Sequence, residues 1–269
     1  MSEKKIPSSK PLSETPSQIS LFKSELDKYE GRIAKLLAER YNIGAHEFIQ
    51  SAVNAVTKNH KLLKCERKSL IGAILLSAEL GLRFNTPQGH AFIYPAKESD
   101  EAVFQIGYKG YIEMAYRNPR LKSIYASVCY EKDAYEYEEG TFPKLTHIPN
   151  ITEKSRGEIL FSYAVVKLEG CDPITVVVDK NVLDKLDKLS GGSSYSELDF
   201  HHSMKMKSAI KKIMKLLPTN SAPEISYAIE AEDKIIMGAK IRVTGDGDVK
   251  ITDKDPNDKN KKYDEQFGS

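Results

Sequence analysis

The sequence predicts an α+β fold: a curved antiparallel β-sheet packed with helices, one of them long and basic. Three observations predict it. Apolar residues recur at helical spacing between residues 21 and 80, strand-like alternation takes over between 89 and 178, and helical spacing returns at 203–217 beside five lysines. At 269 residues the chain can bury one substantial core with appendages. The division expected is a flexible tail over 1–20, a core over 21–235 and a flexible acidic tail over 236–269.

Residues 1–20 carry Pro7, Pro11 and Pro16 among serines and lysines, too little apolar surface to order a segment. Three helical stretches follow. Residues 21–41 place Leu26, Ile33, Leu36 and Leu37 on one side; residues 45–59 place Ile49, Val53 and Val56; residues 66–80 hold Leu70, Ile71, Ile74, Leu75 and Ala78. The last stripe is wide enough to predict a well-buried helix, and Gly81 supplies its stop. Strands are predicted at 89–94 and 102–106, joined by the charged linker 97–101 as a hairpin or finger, then at 122–130, 135–138, 159–168 and 174–178. A short helix over 181–189 precedes a Gly191–Gly192 break, and the helix over 203–217 is stopped by Pro218.

Two stretches hold candidate chemistry. In AVFQIGYKGYIEMAYR, residues 102–117, a strand runs through Gly107-Tyr108-Lys109-Gly110 into a helix. The glycines permit a tight turn and close approach, while helix N–H groups and the Lys109 ammonium favour an anion such as phosphate. Taken alone, this stretch favours the plainer reading of a strand-to-helix turn with a solvated lysine. In the helix over 203–217, Met206, Ala209, Ile210, Ile213, Met214, Leu216 and Leu217 fall on one half and Lys205, Lys207, Lys211, Lys212 and Lys215 on the other. Between residues 199 and 218, five lysines against one aspartate give +4, whereas 219–269 holds eight basic and eleven acidic residues, net −3. No carboxylate interrupts the lysine face at i,i+4, so a polyanion partner is expected, with a solvated face and a membrane surface as the other readings.

Composition excludes several function classes. Formal net charge is only +2, so nucleic-acid binding has to come from a local patch. Cys65, Cys129 and Cys171 lie far apart without CxxC spacing, against a zinc site or disulfide framework and in keeping with a reducing cytoplasm. The longest apolar run, 70–76, is too short to span a bilayer, and a soluble intracellular protein is expected. No Gly-Lys dipeptide occurs, which removes the P-loop. The histidines show neither HExxH nor paired metal spacing. Glu131, Asp133, Glu136, Glu138 and Glu139 form an acidic cluster that a metal-dependent nuclease would use, a rival reading kept open.

The order of motifs resembles the RecT family of phage and prophage single-strand annealing proteins. The resemblance rests on Leu80-Gly81-Leu82, on the run from Asn85 to Pro95 (NTPQGHAFIYP), on Gln105 to Gly110, on Tyr135-Glu136-Tyr137 with Gly140 leading to His147 and Pro149, and on the basic helix ending in Leu217-Pro218. It covers roughly residues 30–218. Tyr195 and Phe200 stand where the family often has Trp before that helix. The resemblance implies a non-catalytic, ATP-independent protein that binds single-stranded DNA, anneals it to its complement and assembles into rings or filaments, with a core of the wider Redβ type. It implies no required cofactor, Mg²⁺ as a modulator of DNA binding, a phage 5′-to-3′ exonuclease and the host single-strand-binding protein as partners, and a cytoplasmic location without membrane contact. An RNA chaperone would share the same phosphate chemistry. The phosphate contacts expected are Lys109 with the N–H groups after Gly110, and Lys205, Lys207, Lys211, Lys212 and Lys215. Lys207 and Lys215 lie about 12 Å apart along a helix, enough to touch more than one phosphate. Gln105, Tyr108, Arg117, Asn85 and Thr86 are accessories.

Overall fold

A computed structural model describes residues 14–38, 41, 43–189, 198–217 and 223–253. Of the expected tails 1–20 and 236–269, residues 1–13 and 254–269 lie outside the described residues, as do the Gly191–Gly192 break, Tyr195 and Pro218, whereas residues 14–20 are helical, which corrects that part of the N-terminal tail. The described residues divide into two compact units, where the sequence suggested one core: those within 14–85, 92–105 and 234–253 form the first, and those within 86–91 and 106–233 the second.

The first unit holds helices α1 (Glu14–Asp27), α2 (Glu30–Ala38), α3 (Ala45–Lys58) and α4 (Arg67–Glu79), with a 3-10 turn at His60–Lys64. The single helix expected over 21–41 is two, broken at Lys28 and Tyr29. Buried Phe22, Leu26, Ile33 and Leu37 keep helical spacing across the break, so periodicity alone does not reveal it. Every residue of α4 from Ser69 to Ala78 is buried, as its wide stripe predicts. Its one buried hydroxyl near the start is satisfied, because Ser69 Oγ accepts the Ala102 N–H at 2.9 Å. The helix ends as expected at Gly81 (φ 61°), with Leu82 N–H donating to Ser77 O and Gly81 N–H to Ala78 O, a Schellman pattern. Strands β1 (Ala91–Pro95) and β2 (Ala102–Ile106) pair as the predicted hairpin.

Residues 240–252 correct the expected C-terminal tail. They form a hairpin of the final two strands, Lys240–Val243 and Val249–Thr252, which packs on α4. Gly72 is what admits it: a Cβ there would meet Ile241 Cγ2 at 2.8 Å and the Arg242 backbone at 3.2 Å. Arg242 also forks onto Glu101, at 2.5 and 2.6 Å, and that hydrogen-bonded guanidinium holds the Glu101 carboxyl below its usual range.

The second unit contains α5 (Tyr108–Ala115), β3 (Leu121–Tyr130), β4 (Ala134–Glu138), β5 (Lys144–Ile148), β6 (Ile159–Leu168), β7 (Ile174–Asp179), α6 (Lys180–Leu189), α7 (Leu198–Met214) and most of α8 (Pro223–Ile236), leaving β8 and β9 as the hairpin above. Strands β3, β6 and β7 form an antiparallel sheet with β6 central. Ile124, Val166 and Ile174, then Val128, Ser162 and Val178, fall in register on one face. Helix α7 packs on this sheet and buries Ala209, Ile210 and Ile213. β4 and β5 make a separate hairpin, so the described strands form four small sheets where one continuous curved sheet was expected. β5 and α8 were not anticipated as elements.

Gly72→Val should lower stability by about 2 kcal/mol, because its side chain must displace the backbone of the 240–252 hairpin. Amide exchange should rise first at Ile241 and Val243. Unchanged protection there would show that the hairpin does not need the missing Cβ.

Candidate nucleic-acid interface

The corner at the start of α5 is built by close backbone approach. Gly107 caps the helix with extended backbone and no side-chain cap, and its N–H donates to His90 O at 2.9 Å. A Cβ on Gly110 would lie 2.1 Å from the same carbonyl, so only glycine fits. Gly110 and Tyr111 already donate to Gly107 O, at 3.0 and 3.2 Å. The open N–H groups are therefore those of Tyr108 and Lys109, which have no acceptor among the described residues. This corrects the expectation that they would follow Gly110, since the helix begins two residues earlier. Lys109 is exposed and pairs with no acid among the described residues.

The lysine helix differs more. Lys207 Nζ lies 2.6 Å from Glu232 Oε1, and Lys211 Nζ lies 3.0 Å from Glu232 Oε2 while also pairing with Asp233. Lys207 is 5% exposed and Glu232 fully buried. The face that lacks carboxylates in its own sequence is neutralised by α8, which corrects the reading of five unpaired cations. Lys205 is buried too, with Nζ donating to Leu183 O at 3.2 Å. Lys212 is exposed and donates to Val177 O at 2.9 Å. Lys215 keeps 61% of its side chain exposed, with Asp233 at 4.0 Å.

Helical geometry explains this ordering. With about 100° per residue, Lys207 and Lys205 border the apolar stripe on either side, whereas Lys215 lies opposite its centre. Neighbouring elements close over the borders and leave the middle in water. Within the buried group, burial disfavours the charged Glu232 carboxylate, but the Lys207 and Lys211 ammoniums outweigh it and hold the group below its usual range. Burial pushes Lys207 down, whereas the paired Lys211 is raised by Glu232 and Asp233 against its own burial. Glu232 was missed by sequence reasoning, although a signal existed: it occupies i+7 of the stripe Ile225, Ala228, Ile229, Ile235, a core position for a charge.

Of the accessory residues, Asn85, Gln105 and Arg117 are engaged within the chain. Asn85, in left-handed backbone at φ 51°, clamps Ile93 by donating to its carbonyl at 2.8 Å and accepting its N–H at 2.9 Å. Gln105 Oε1 accepts from Tyr94 Oη at 3.2 Å. Arg117 sits 3.8 Å from Glu224. Thr86 Oγ1 is enclosed without a hydrogen-bond partner among the described residues, and Tyr108 is half-buried on the first turn of α5.

The acidic cluster does not assemble as a metal set. Asp133 is buried, and its carboxylate accepts from Tyr130 N–H (2.9 Å), Asn150 N–H (3.0 Å), His147 Nε2 (2.9 Å), Arg156 Nε (2.8 Å) and Arg156 Nη2. His147 Nδ1 is in turn hydrogen-bonded to the Tyr163 hydroxyl at 3.0 Å, and Arg156 stacks 4.4 Å over the Tyr130 ring. Cys129, Asp133 and His147 bring ligand atoms within 4.8 Å of one another, but the carboxylate is saturated by donors and burial pushes the thiol up to about 11. Glu131 accepts Glu158 N–H, and Glu136 pairs with Lys144. This donor set makes a structural hydrogen-bonded hub.

Burial would raise the Asp133 carboxyl, but the Arg156, backbone and His147 hydrogen bonds outweigh it and hold the group well below its ordinary 3.8. Its stabilising contribution is therefore present above pH 3.8 and lost as pH falls towards its folded value. Asp133→Asn should cost about 3 kcal/mol at neutral pH by stranding Arg156. Denaturant melts should find the gap to wild type narrowing at pH 3; a constant gap would mean the carboxylate charge is not what stabilises.

Among the described residues, no helix is long and apolar enough to cross a membrane. The RecT family model matches residues 46–256. Protein RecT of Escherichia coli (strain K12) is 28% identical over 197 residues, covering 71% of this chain and 72% of that protein. Uncharacterized protein YqaK of Bacillus subtilis (strain 168) is 26% identical over 230 residues, covering 85% and 76%.

Proposed function

The chain belongs to the RecT family, and from that membership we propose that it binds single-stranded DNA by its phosphate backbone and anneals it to a complementary strand without ATP, with strand invasion as a further outcome in phage-type recombination. Family membership carries the reading. The exposed Lys109, beside the open N–H groups of Tyr108 and Lys109, supports backbone contact, because such a corner gathers three sources of positive potential. Lys212 and Lys215 are the members of the lysine helix exposed to solvent. Lys207 and Lys211, already matched by Glu232 and Asp233, shape the site without touching the strand.

Backbone contact leaves base edges outward, where a second strand can pair with them. Assembly as a ring or filament would repeat these few contacts along a strand, so that modest cations per subunit sum to tight binding. Mg²⁺ would act by screening phosphates, and a phage 5′-to-3′ exonuclease and a host single-strand-binding protein are the partners proposed, in the cytoplasm of a bacterial cell. An RNA strand offers the same phosphates, and competition between DNA and RNA separates annealing from RNA chaperoning.

Lys109→Ala with Lys215→Ala should weaken binding of a labelled oligonucleotide about tenfold at moderate salt and reduce the slope of log affinity against log salt by about 1.4, with thermal stability unchanged. Lys207→Ala should instead cost about 3–5 kcal/mol of stability by stranding Glu232. Complementary oligonucleotides should anneal without nucleotide, and the strands should stay intact with Mg²⁺. A requirement for ATP or the appearance of cleavage products would refute the reading.

A further inference from the structure

The buried carboxylate of Glu232 does more than balance two lysines. Oε1 accepts the backbone N–H of Ile106 at 2.7 Å, and Oε2 accepts the Tyr111 hydroxyl at 2.8 Å. Ile106 immediately precedes Gly107, and Tyr111 immediately follows Gly110, so one side chain grips both flanks of the Gly107–Gly110 corner. Both grips are buried: Ile106, Tyr111 and Glu232 are each 0% exposed. Lys207 and Lys211 donate to the same two oxygens, at 2.6 and 3.0 Å. Each carboxylate oxygen thus takes one donor from the corner and one from α7. No other side chain among the described residues hydrogen-bonds both flanks.

We infer that Glu232 is a positioning residue for phosphate contact: its carboxylate, locked by Lys207 and Lys211, sets the corner that presents Lys109 and its neighbouring N–H groups to a nucleic-acid backbone. The inference rests on the phosphate reading of Lys109 made above. Its physical content is preorganisation, since N–H groups already aimed at an anion lose no free energy to ordering when it arrives. The grip also has a particular chemical form. A charged acceptor bonds the Ile106 N–H and the Tyr111 hydroxyl more strongly than a neutral amide would, so an isosteric amide keeps the shape and loosens the corner.

The sign of the effect distinguishes positioning from simple electrostatics. Glu232→Gln removes a negative charge from a protein that binds a polyanion, and long-range electrostatics alone would tighten binding and steepen the salt dependence. Positioning requires the opposite. With the full-length protein and a labelled mixed-sequence single-stranded oligonucleotide, Glu232→Gln should weaken binding about fivefold and lower the salt slope by about 0.7, matching Lys109→Ala. On a Lys109→Ala background it should add no further loss. Tyr111→Phe keeps the charge and the ring and removes one grip, so it tests the same idea should Glu232→Gln not fold; it should weaken binding about threefold with the same dependence on Lys109. If Lys109→Ala weakens binding while Glu232→Gln and Tyr111→Phe leave it unchanged, tighten it, or weaken it additively with Lys109→Ala, the positioning role is wrong and the phosphate reading survives. If Lys109→Ala itself binds as wild type, the phosphate reading fails and the positioning role falls with it.

Discussion

The organisation of the second unit depends on one buried carboxylate. A lone charge with no exposure to water would cost several kcal/mol, and Glu232 is tolerated only because four donors converge on its two oxygens. Those donors come from Ile106, from Tyr111 of α5 and from two lysines of α7, so satisfying Glu232 requires these parts of the second unit to meet α8 at one point. An apolar residue there could slide along α7 at small cost. A carboxylate with four directional partners cannot, and this constraint fixes the register of α7 and α8 and the shape of the corner that opens α5.

The same interaction resolves the charge segregation visible in the sequence. A segment of net +4 is followed by one of net −3, and two residues of the second neutralise two of the first when the helices pack. Local rules compare residues three or four apart, and by those rules the lysines of α7 are unpaired. The partners of Lys207 and Lys211 lie more than twenty positions away, beyond any window that periodicity inspects. The buried borders and exposed centre of the lysine face were nevertheless implicit in the helical angle, with Lys207 against the apolar stripe and Lys215 opposite it.

Legibility elsewhere followed the same division between local and distant causes. The Gly81 stop was readable because a Schellman turn is written in neighbouring residues. β3, β6 and β7 were readable because β-branched and aromatic runs identify strands that bury a face. The 240–252 hairpin was overlooked although Ile241, Val243, Val249 and Ile251 alternate around a Thr-Gly-Asp-Gly turn, because the weight of charge after residue 219 suggested a tail. The gap that Gly72 leaves for it is a tertiary fact with no local signature. β5 is polar on alternate positions and short, and α8 hides a charge in its core stripe, so neither presents a clean pattern. At the candidate interface, Lys109 and its glycines were legible as a pair of backbone requirements, whereas the residue that grips them was not.

Both buried acids of the second unit illustrate why a carboxylate cluster is weak grounds for catalysis. Asp133 and Glu232 are held ionised, as catalytic carboxylates often are, yet each has its lone pairs filled by protein donors that leave no position for a metal or a substrate proton. Saturation distinguishes a carboxylate that organises from one that reacts. The available positive charge has the opposite character: Lys109 and Lys215 carry exposed ammoniums with slack in their pairing. On the function proposed above, exposed Lys109 and Lys215, on a frame fixed by saturated buried carboxylates, would hold a phosphate backbone and release it. Annealing demands that combination, because the bound strand must stay in place long enough to find its complement and loose enough to pair with it.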